Sequence, residues 1–235
     1  MSASWYTRPL AAFDVETTGL DVTSDRIVTA ALWRIDPTSG TKEPLTWIID
    51  PGVPVPPEAA AIHGYTDERV RAEGTPAAEA VPAIGAALEK VAADGLPLVV
   101  YNAPYDLGIL HHELVRNTVR PEPLSTLHVV DPLVLDKQMD PYRKGGRKLT
   151  DVCAHHGVPL AADEAHGAAA DALAAGRLAW RLGSSHPELG ALSPAELHDS
   201  QVRWKADQAA SFQAYLRRSR DPEAVIDGTW PYVGA

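Results

Sequence analysis

Pro9-Leu-Ala-Ala-Phe-Asp-Val-Glu16 is an apolar run with two carboxylates entering at its end, and Thr17-Thr-Gly19 breaks it. Such a run reads as a strand. Side chains two apart on a strand leave the same face, so Asp14 and Glu16 share one face while Phe13 and Val15 point the other way, into the core. Two carboxylates on one face of an apolar segment repel each other and resist desolvation unless a cation sits between them. Hard divalent cations such as Mg²⁺ suit this oxygen chemistry. A solvated strand end would also tolerate the pair, so Asp-x-Glu alone is a weak signal. The following Thr17-Thr18-Gly19-Leu20 strengthens it. Glycine lets the backbone turn closely beside a ligand, and threonine hydroxyls and amides hold phosphate or sugar oxygens.

Outward from this strand, Arg26 to Ile35 reads as a second, largely buried strand closed by Asp36-Pro-Thr-Ser-Gly40, and Leu45 to Ile49 reads as a third. The short connections predict an antiparallel meander. Pro51 to Pro57 is a proline-rich loop that cannot pair inside a sheet. The pattern then turns helical. Thr66 is a plausible N-cap with Asp67 and Glu68 behind it, and Ala77 to Ala93 carries Val81, Ile84, Leu88 and Val91 at helical spacing. Leu96 to Tyr101 has the continuous apolar look of a strand buried on both faces. A helix from Tyr105 to Asn117, a strand near Leu127 to Asp131 and helices over Lys148 to His156 and Gly167 to Leu182 follow. Gly183-Ser-Ser-His-Pro187 reads as a boundary, which divides the chain into 1–183 and a helical C-terminal extension, 184–235. Within the extension, Ser193-Pro194 starts one long amphipathic helix that ends at Arg218. Three strands in a meander, then alternating helices and strands, predict an α/β domain with a mixed sheet flanked by helices.

Two further places repeat the acidic theme. Val99-Val-Tyr-Asn102-Ala-Pro-Tyr-Asp106 runs from buried strand into helix and puts Asp106 in its first turn, with Tyr101 and Tyr105 beside it. His166-Gly-Ala-Ala-Ala-Asp171 puts a histidine just before a helix and an aspartate in its first turns. The pairs His111-His112 and His155-His156 read as surface or core histidines, because neighbours on a helix do not face one site. Asp131 and Asp136 read as caps. Arg143, Lys144, Arg147 and Lys148 form a basic cluster around Gly145-Gly146 that is either a solvated loop or a holder of a phosphate backbone.

Phe13-Asp-Val-Glu-Thr-Thr-Gly-Leu20, Asn102-Ala-Pro-Tyr-Asp106 and His166-x4-Asp171, in this order, resemble the three motifs of the DEDDh 3′-5′ exonucleases, such as the proofreading epsilon subunit of bacterial DNA polymerase III and its stand-alone homologues. Ile62-His63-Gly64-Tyr65-Thr66 resembles the family's Ile-His-Gly-Ile-Thr segment. The likeness covers about residues 8 to 182. The subclass follows from the last motif: tyrosine-type relatives carry Tyr four residues before the final Asp, where this chain has Gly167, and the histidine type carries His five before it, here His166. The resemblance implies a ribonuclease H-like fold with a five-stranded mixed sheet. It implies two Mg²⁺ or Mn²⁺ ions held by Asp14, Glu16, Asp106 and Asp171, with His166 as general base. It further implies that Thr17, Thr18, Gly19, Leu20, His63, Asn102 and Tyr105 seat the terminal nucleotide. The activity implied is release of nucleoside 5′-monophosphates from a free 3′ end, with DNA favoured and RNA the alternative. A non-catalytic polymerase-docking module is the reading from another class, and a polymerase or a second copy of the chain could meet the 194–218 helix.

The bulk properties agree. The chain has 235 residues, 45% hydrophobic and 22% charged, with a formal charge of −10, which describes a globular protein able to bury a core. The acidic balance argues against sequence-independent coating of DNA, which uses a basic surface, but not against an enzyme whose site must hold cations. The single cysteine, Cys153, excludes an intrachain disulfide and a cysteine zinc cage and fits a reducing compartment. The N-terminal residues lack a signal-peptide layout and no apolar run approaches the ~20 residues of a membrane span, so no membrane association and a cytoplasmic location are expected.

Overall fold

A computed structural model describes residues 4–120, 122–160 and 167–232. After a 3₁₀ turn at Trp5–Thr7, the chain forms β1 (Leu10–Thr17), β2 (Ile27–Ile35) and β3 (Lys42–Asp50). These are followed by α1 (Pro57–His63), α2 (Asp67–Glu73), β4 (Thr75–Pro76), α3 (Ala77–Ala93) and β5 (Leu98–Val99). Then come α4 (Ala103–Arg116), α5 (Glu122–Ser125), β6 (Val129–Val130), α6 (Pro132–Met139), α7 (Leu149–His156), α8 (Ala168–Ser185), α9 (Pro187–Gly190) and α10 (Pro194–Ser219). The sheet order is β4-β3-β2-β1-β5-β6. The meander β1-β2-β3 is antiparallel, whereas β5 and β6 add in parallel beside β1.

The mixed sheet stands as expected, with one correction: among the described residues it has six strands rather than five. The extra one is Thr75–Pro76, which pairs in parallel with Ile49–Asp50 at the outer edge. A proline is acceptable there because an edge strand has one row of N–H groups with no partner to lose. Such a two-residue pairing leaves no periodicity in the sequence. The buried runs around Leu98 and Val129 form strands of only two residues each.

The sheet separates two cores. Ala11, Phe13 and Val15 face a cluster with Ile84, Leu88, Leu107 and Leu110 of α3 and α4. Leu10 and Ala12 face a second cluster with Ala172, Ala175, Leu178 and Ala179 of α8. The alanines let α8 lie close to the sheet. At Gly176 even a Cβ would sit 2.9 Å from Ile35 Cδ1 and 3.3 Å from Ala12 Cβ. Close approach of α8 brings its first turn to the carboxylate end of β1.

Described residues of the C-terminal extension pack on these cores. Leu189 and Leu197 are buried in the second core, and Trp204 packs against both clusters. Strand β6 is the other edge of the sheet, where unpaired backbone groups invite aggregation. Side chains of α10 cover it: His198 Nδ1 accepts from Val129 N (3.0 Å), Gln201 Oε1 accepts from Asp131 N (2.7 Å) and Gln201 Nε2 donates to Val129 O (3.0 Å). No helix of the described residues is long and apolar enough to cross a membrane.

Asp136, 2% exposed, organises the loop after α6. It accepts hydrogen bonds from Arg143 Nη2 at 3.0 Å and from Arg147 Nη1, and meets His156 Nε2 at 2.9 Å. Burial alone would raise its pKa, but His156, Arg143 and the charge of Arg147 outweigh it and hold the carboxyl down to about 2. Its stabilising share is therefore complete above the ordinary value of 3.8 and is lost as pH falls through about 2. Asp136→Asn, which leaves two arginines facing a neutral group, should destabilise the fold by about 3–5 kcal/mol near neutrality. The gap to wild type in denaturant melts should narrow as pH falls from 4 toward 2. A gap independent of pH over that interval would contradict the assignment.

Candidate active site

The end of β1 outruns its parallel neighbour. Strand β5 pairs only with Ala11 and Ala12, so the β1 edge is open beyond them. The N–H of Val15 on that edge is taken instead by Asp106 Oδ1 at 3.1 Å. Asp106 lies in the first turn of α4, 4% exposed, where the positive end of the helix favours a carboxylate. The turn into α4 is forced. Asn102 adopts φ 60° and ψ 49°, a left-handed conformation that asparagine tolerates better than most residues. The buried carboxylate of Asp131 pins it, accepting from Asn102 N at 2.9 Å and Ala103 N at 3.0 Å. Asp131 also caps α6 through Leu133 N and receives Trp230 Nε1 at 3.3 Å. It is thus the shared anchor of the Asn102 turn, β6 and the C-terminal segment.

Asp171 arrives on the first turn of α8, which is tied down where Trp33 Nε1 donates to Ala169 O at 2.7 Å. The result is a cleft of about 400 Å³ whose lining includes Asp14, Glu16, Asp106, Asp171, Asn102 and Tyr105. Ligand oxygens of Asp14, Glu16 and Asp171 lie within 4.8 Å of one another. No lysine, arginine or histidine of the described residues pairs with Asp14 or Glu16.

The electrostatics follow from that arrangement. Burial raises the Asp14 carboxyl well above 3.8, and the charges of Asp106, Glu16 and Asp171 raise it further. Glu16 is pushed from 4.5 to about 8 by burial, then by Asp171 and Asp106. Asp106 also rises to about 8 through burial, against the pull of the Val15 N–H and its own. An all-oxygen donor set in which Asp14 and Glu16 have no ion-pair partner among the described residues fits one or more hard divalent cations.

The described sequence candidates Thr17, Thr18, Gly19, Leu20 and His63 are not among the lining residues. Thr17 Oγ1 donates to Gly19 O at 2.8 Å and bonds the Tyr105 hydroxyl, which itself reaches Gly19 O. Burial pushes the Tyr105 hydroxyl pKa up to about 12, so it stays a neutral clamp on the turn. Thr18 Oγ1 donates to Asp25 Oδ1 at 2.8 Å, and a Cβ on Gly19 would fall 2.5 Å from Asp25 Oδ2, which is why glycine stands there. Leu20 is 87% exposed. His63 is buried, accepts Tyr65 N at Nδ1 (3.2 Å) and has its pKa lowered by burial. His166 lies outside the described residues. Of the basic cluster, Arg143 and Arg147 are spent on Asp136, while Lys144 and Lys148 are exposed. The role of Asp131 was legible only as a cap; its hold on Asn102 and its ties to Gln201 and Trp230 join residues far apart in sequence.

A family model described as exonuclease (RNase_T) matches residues 11–179, most of the chain and all of this cleft. The chain belongs to the exonuclease family. Among curated proteins it is similar to a DNA polymerase III subunit epsilon-like protein of Rhodobacter capsulatus, 37% identical over 105 residues, which are 43% of this chain and 14% of that one. It is also similar to DNA polymerase III subunit epsilon of Pasteurella multocida, 27% identical over 126 residues, 53% of this chain and 46% of that one. The chain thus spans less than half the length of these relatives. Among solved structures, E. coli Exonuclease I in complex with a dT13 oligonucleotide superposes with a TM-score of 0.65 at 21% identity, covering 77% of this chain and 42% of that one. This last likeness concerns the fold.

The carboxylate cluster has a measurable consequence without any substrate. Because the folded-state pKa of Glu16 lies above its ordinary 4.5, its favourable share is present below 4.5 and is lost as pH rises through about 8. In chelator, the melting temperature should therefore fall over that interval, and Glu16→Gln should flatten the fall. A chelated wild-type protein that gains stability as pH rises from 4.5 to 8 would contradict the repulsion.

Proposed function

We propose that the chain is a divalent-metal-dependent 3′-5′ exonuclease that removes nucleoside 5′-monophosphates one at a time from the 3′ end of single-stranded or frayed DNA. The observation that carries this reading is the convergence of four carboxylates from β1, α4 and α8 in one cleft, with no ion-pair partner for Asp14 or Glu16 among the described residues. Asp14, Glu16, Asp106 and Asp171 would hold two ions, Mg²⁺ or Mn²⁺. Such ions, when bound, neutralise the phosphodiester and activate the attacking water.

The chain's own residues supply the rest. The charges of Asp106, Glu16 and Asp171 all bear on Asp14, which supports a central role for it in the set. His166 would accept the proton of the water, since an imidazole near its ordinary pKa is suited to that task around neutral pH. Asn102 and Tyr105 line the cleft where the last nucleotide would lie. The Thr17-Thr18-Gly19 turn, held rigid by Asp25 and Tyr105, would offer its backbone to the terminal sugar, with exposed Leu20 against the base and His63 behind. The preference for DNA is in keeping with the dT13 bound by the E. coli neighbour.

A gel time course with 5′-labelled single-stranded DNA tests the reading. A ladder shortening by single nucleotides is expected with Mg²⁺ or Mn²⁺ and none with chelator. Asp14→Asn should remove nearly all turnover while leaving the metal-free fold intact or more stable. His166→Ala should lower the rate ~10²–10⁴-fold. A wild-type rate in His166→Ala at pH 7 would exclude the general-base role, and a preference above tenfold for matched RNA would reassign the substrate.

A further inference from the structure

A second cavity, about 760 Å³, lies between α6, the loop before α7 and the C-terminal half of α10. Arg147 lines both this cavity and the carboxylate cleft, so the two are contiguous. Most of its wall lies on α10, outside residues 11–179 that the exonuclease family model matches.

Three features of the wall point to one ligand chemistry. The first is charge: Lys137, Arg147, Lys205 and Arg218 face a single lining carboxylate, Asp207, in a chain whose net charge is −10. Arg147 is held by Asp136, but Lys137, Lys205 and Arg218 have no ion-pair partner among the described residues. Burial lowers the pKa of the Lys137 ammonium and the nearby Lys205 lowers it further, while the charges of Asp131 and Asp136 act the other way. The second is aromatic surface. Tyr142 is 92% exposed, Phe212 51% and Tyr215 47%, and the rings of Phe212 and Tyr215 lie nearly parallel at 15° with centroids 6.4 Å apart. The third is an acceptor without a donor: Gln208 Oε1 is buried and unbonded, although its Nε2 donates to Val134 O at 3.1 Å.

We infer that this groove holds the single-stranded nucleic acid upstream of the 3′ end, with phosphates on Lys137, Lys205 and Arg218 and bases stacked on Tyr142, Phe212 and Tyr215. Cations tracking a backbone, alternating with aromatic faces, are how proteins bind single strands without reading sequence. A protein partner would find an edge of unpaired ammoniums at the centre of its interface, where charge is normally depleted. The inference rests on the nuclease reading of the adjoining cleft, and its test separates the two.

Two double variants, Lys205→Gln with Arg218→Gln and Phe212→Ala with Tyr215→Ala, alter exposed or half-exposed side chains outside the carboxylate cleft. Binding of 5′-fluorescein dT20 and rU20 is measured by anisotropy in chelator, which needs no turnover. Hydrolysis of the p-nitrophenyl ester of thymidine 5′-monophosphate, too short to reach the groove, reports on the cleft alone. Both variants should keep the wild-type ester rate and bind the 20-mers at least tenfold more weakly. The charge variant should also show a slope of log K against log salt smaller by about 1.4, from about 0.7 per phosphate. Unchanged 20-mer affinity and salt slope in both variants would overturn the groove while leaving the cleft untouched. Loss of self-association in sedimentation, with unchanged 20-mer affinity, would overturn it in favour of a protein interface. Absence of ester hydrolysis in wild type would instead count against the nuclease reading, and the anisotropy would still decide the groove.

Discussion

The repulsion among Asp14, Glu16, Asp106 and Asp171 is the constraint around which the molecule is built. Like charges at the edge of a low-dielectric core separate or neutralise unless something holds them. Here three rigid elements do so. Strand β1 fixes the first pair by its pleat. The start of α4 brings the third, bonded to the Val15 N–H, and the alanine-rich face of α8 lets the fourth approach. The cost appears as raised pKa values, and the gain is a preformed set of oxygen donors that need not be assembled when a cation arrives.

Holding such a set demands support from behind, and Asp131 supplies it. One buried carboxylate fixes the left-handed Asn102 turn that aims α4, caps α6 and takes the Trp230 indole, while its backbone N–H is bonded by Gln201. The C-terminal segment is therefore coupled to the cleft in two ways. It closes the open edge of β6 from beneath, and it turns toward solvent a cationic and aromatic wall that continues the cleft through Arg147.

Much of this was legible in the sequence because it is local. The alternation in Phe13-Asp-Val-Glu16 dictates which side chains face the core. Helix starts at Thr66 and Ser193-Pro194 carry their own capping chemistry. What was not legible depends on tertiary partners. Thr75–Pro76 becomes a strand only because the edge of β3 is free beside it. The Gly183 to Pro187 stretch looks like a boundary by composition, yet α8 runs on to Ser185, and Leu189 and Leu197 re-enter the core. Arg143 and Arg147 look like solvated cations until buried Asp136 is set between them. Gln201 and His198 carry no local sign that they close a sheet edge.

The most direct test of the central constraint is Mn²⁺ binding at pH 8, followed by electron paramagnetic resonance of the free ion, for wild type and Asp106→Asn. The account predicts saturable binding by wild type and a loss of at least one site or a large drop in affinity in the variant, whose side chain accepts from Val15 N and lines the cleft with the other three carboxylates. Equal binding by the two proteins, or none by wild type, would contradict the claim that the four carboxylates form one cation-holding set.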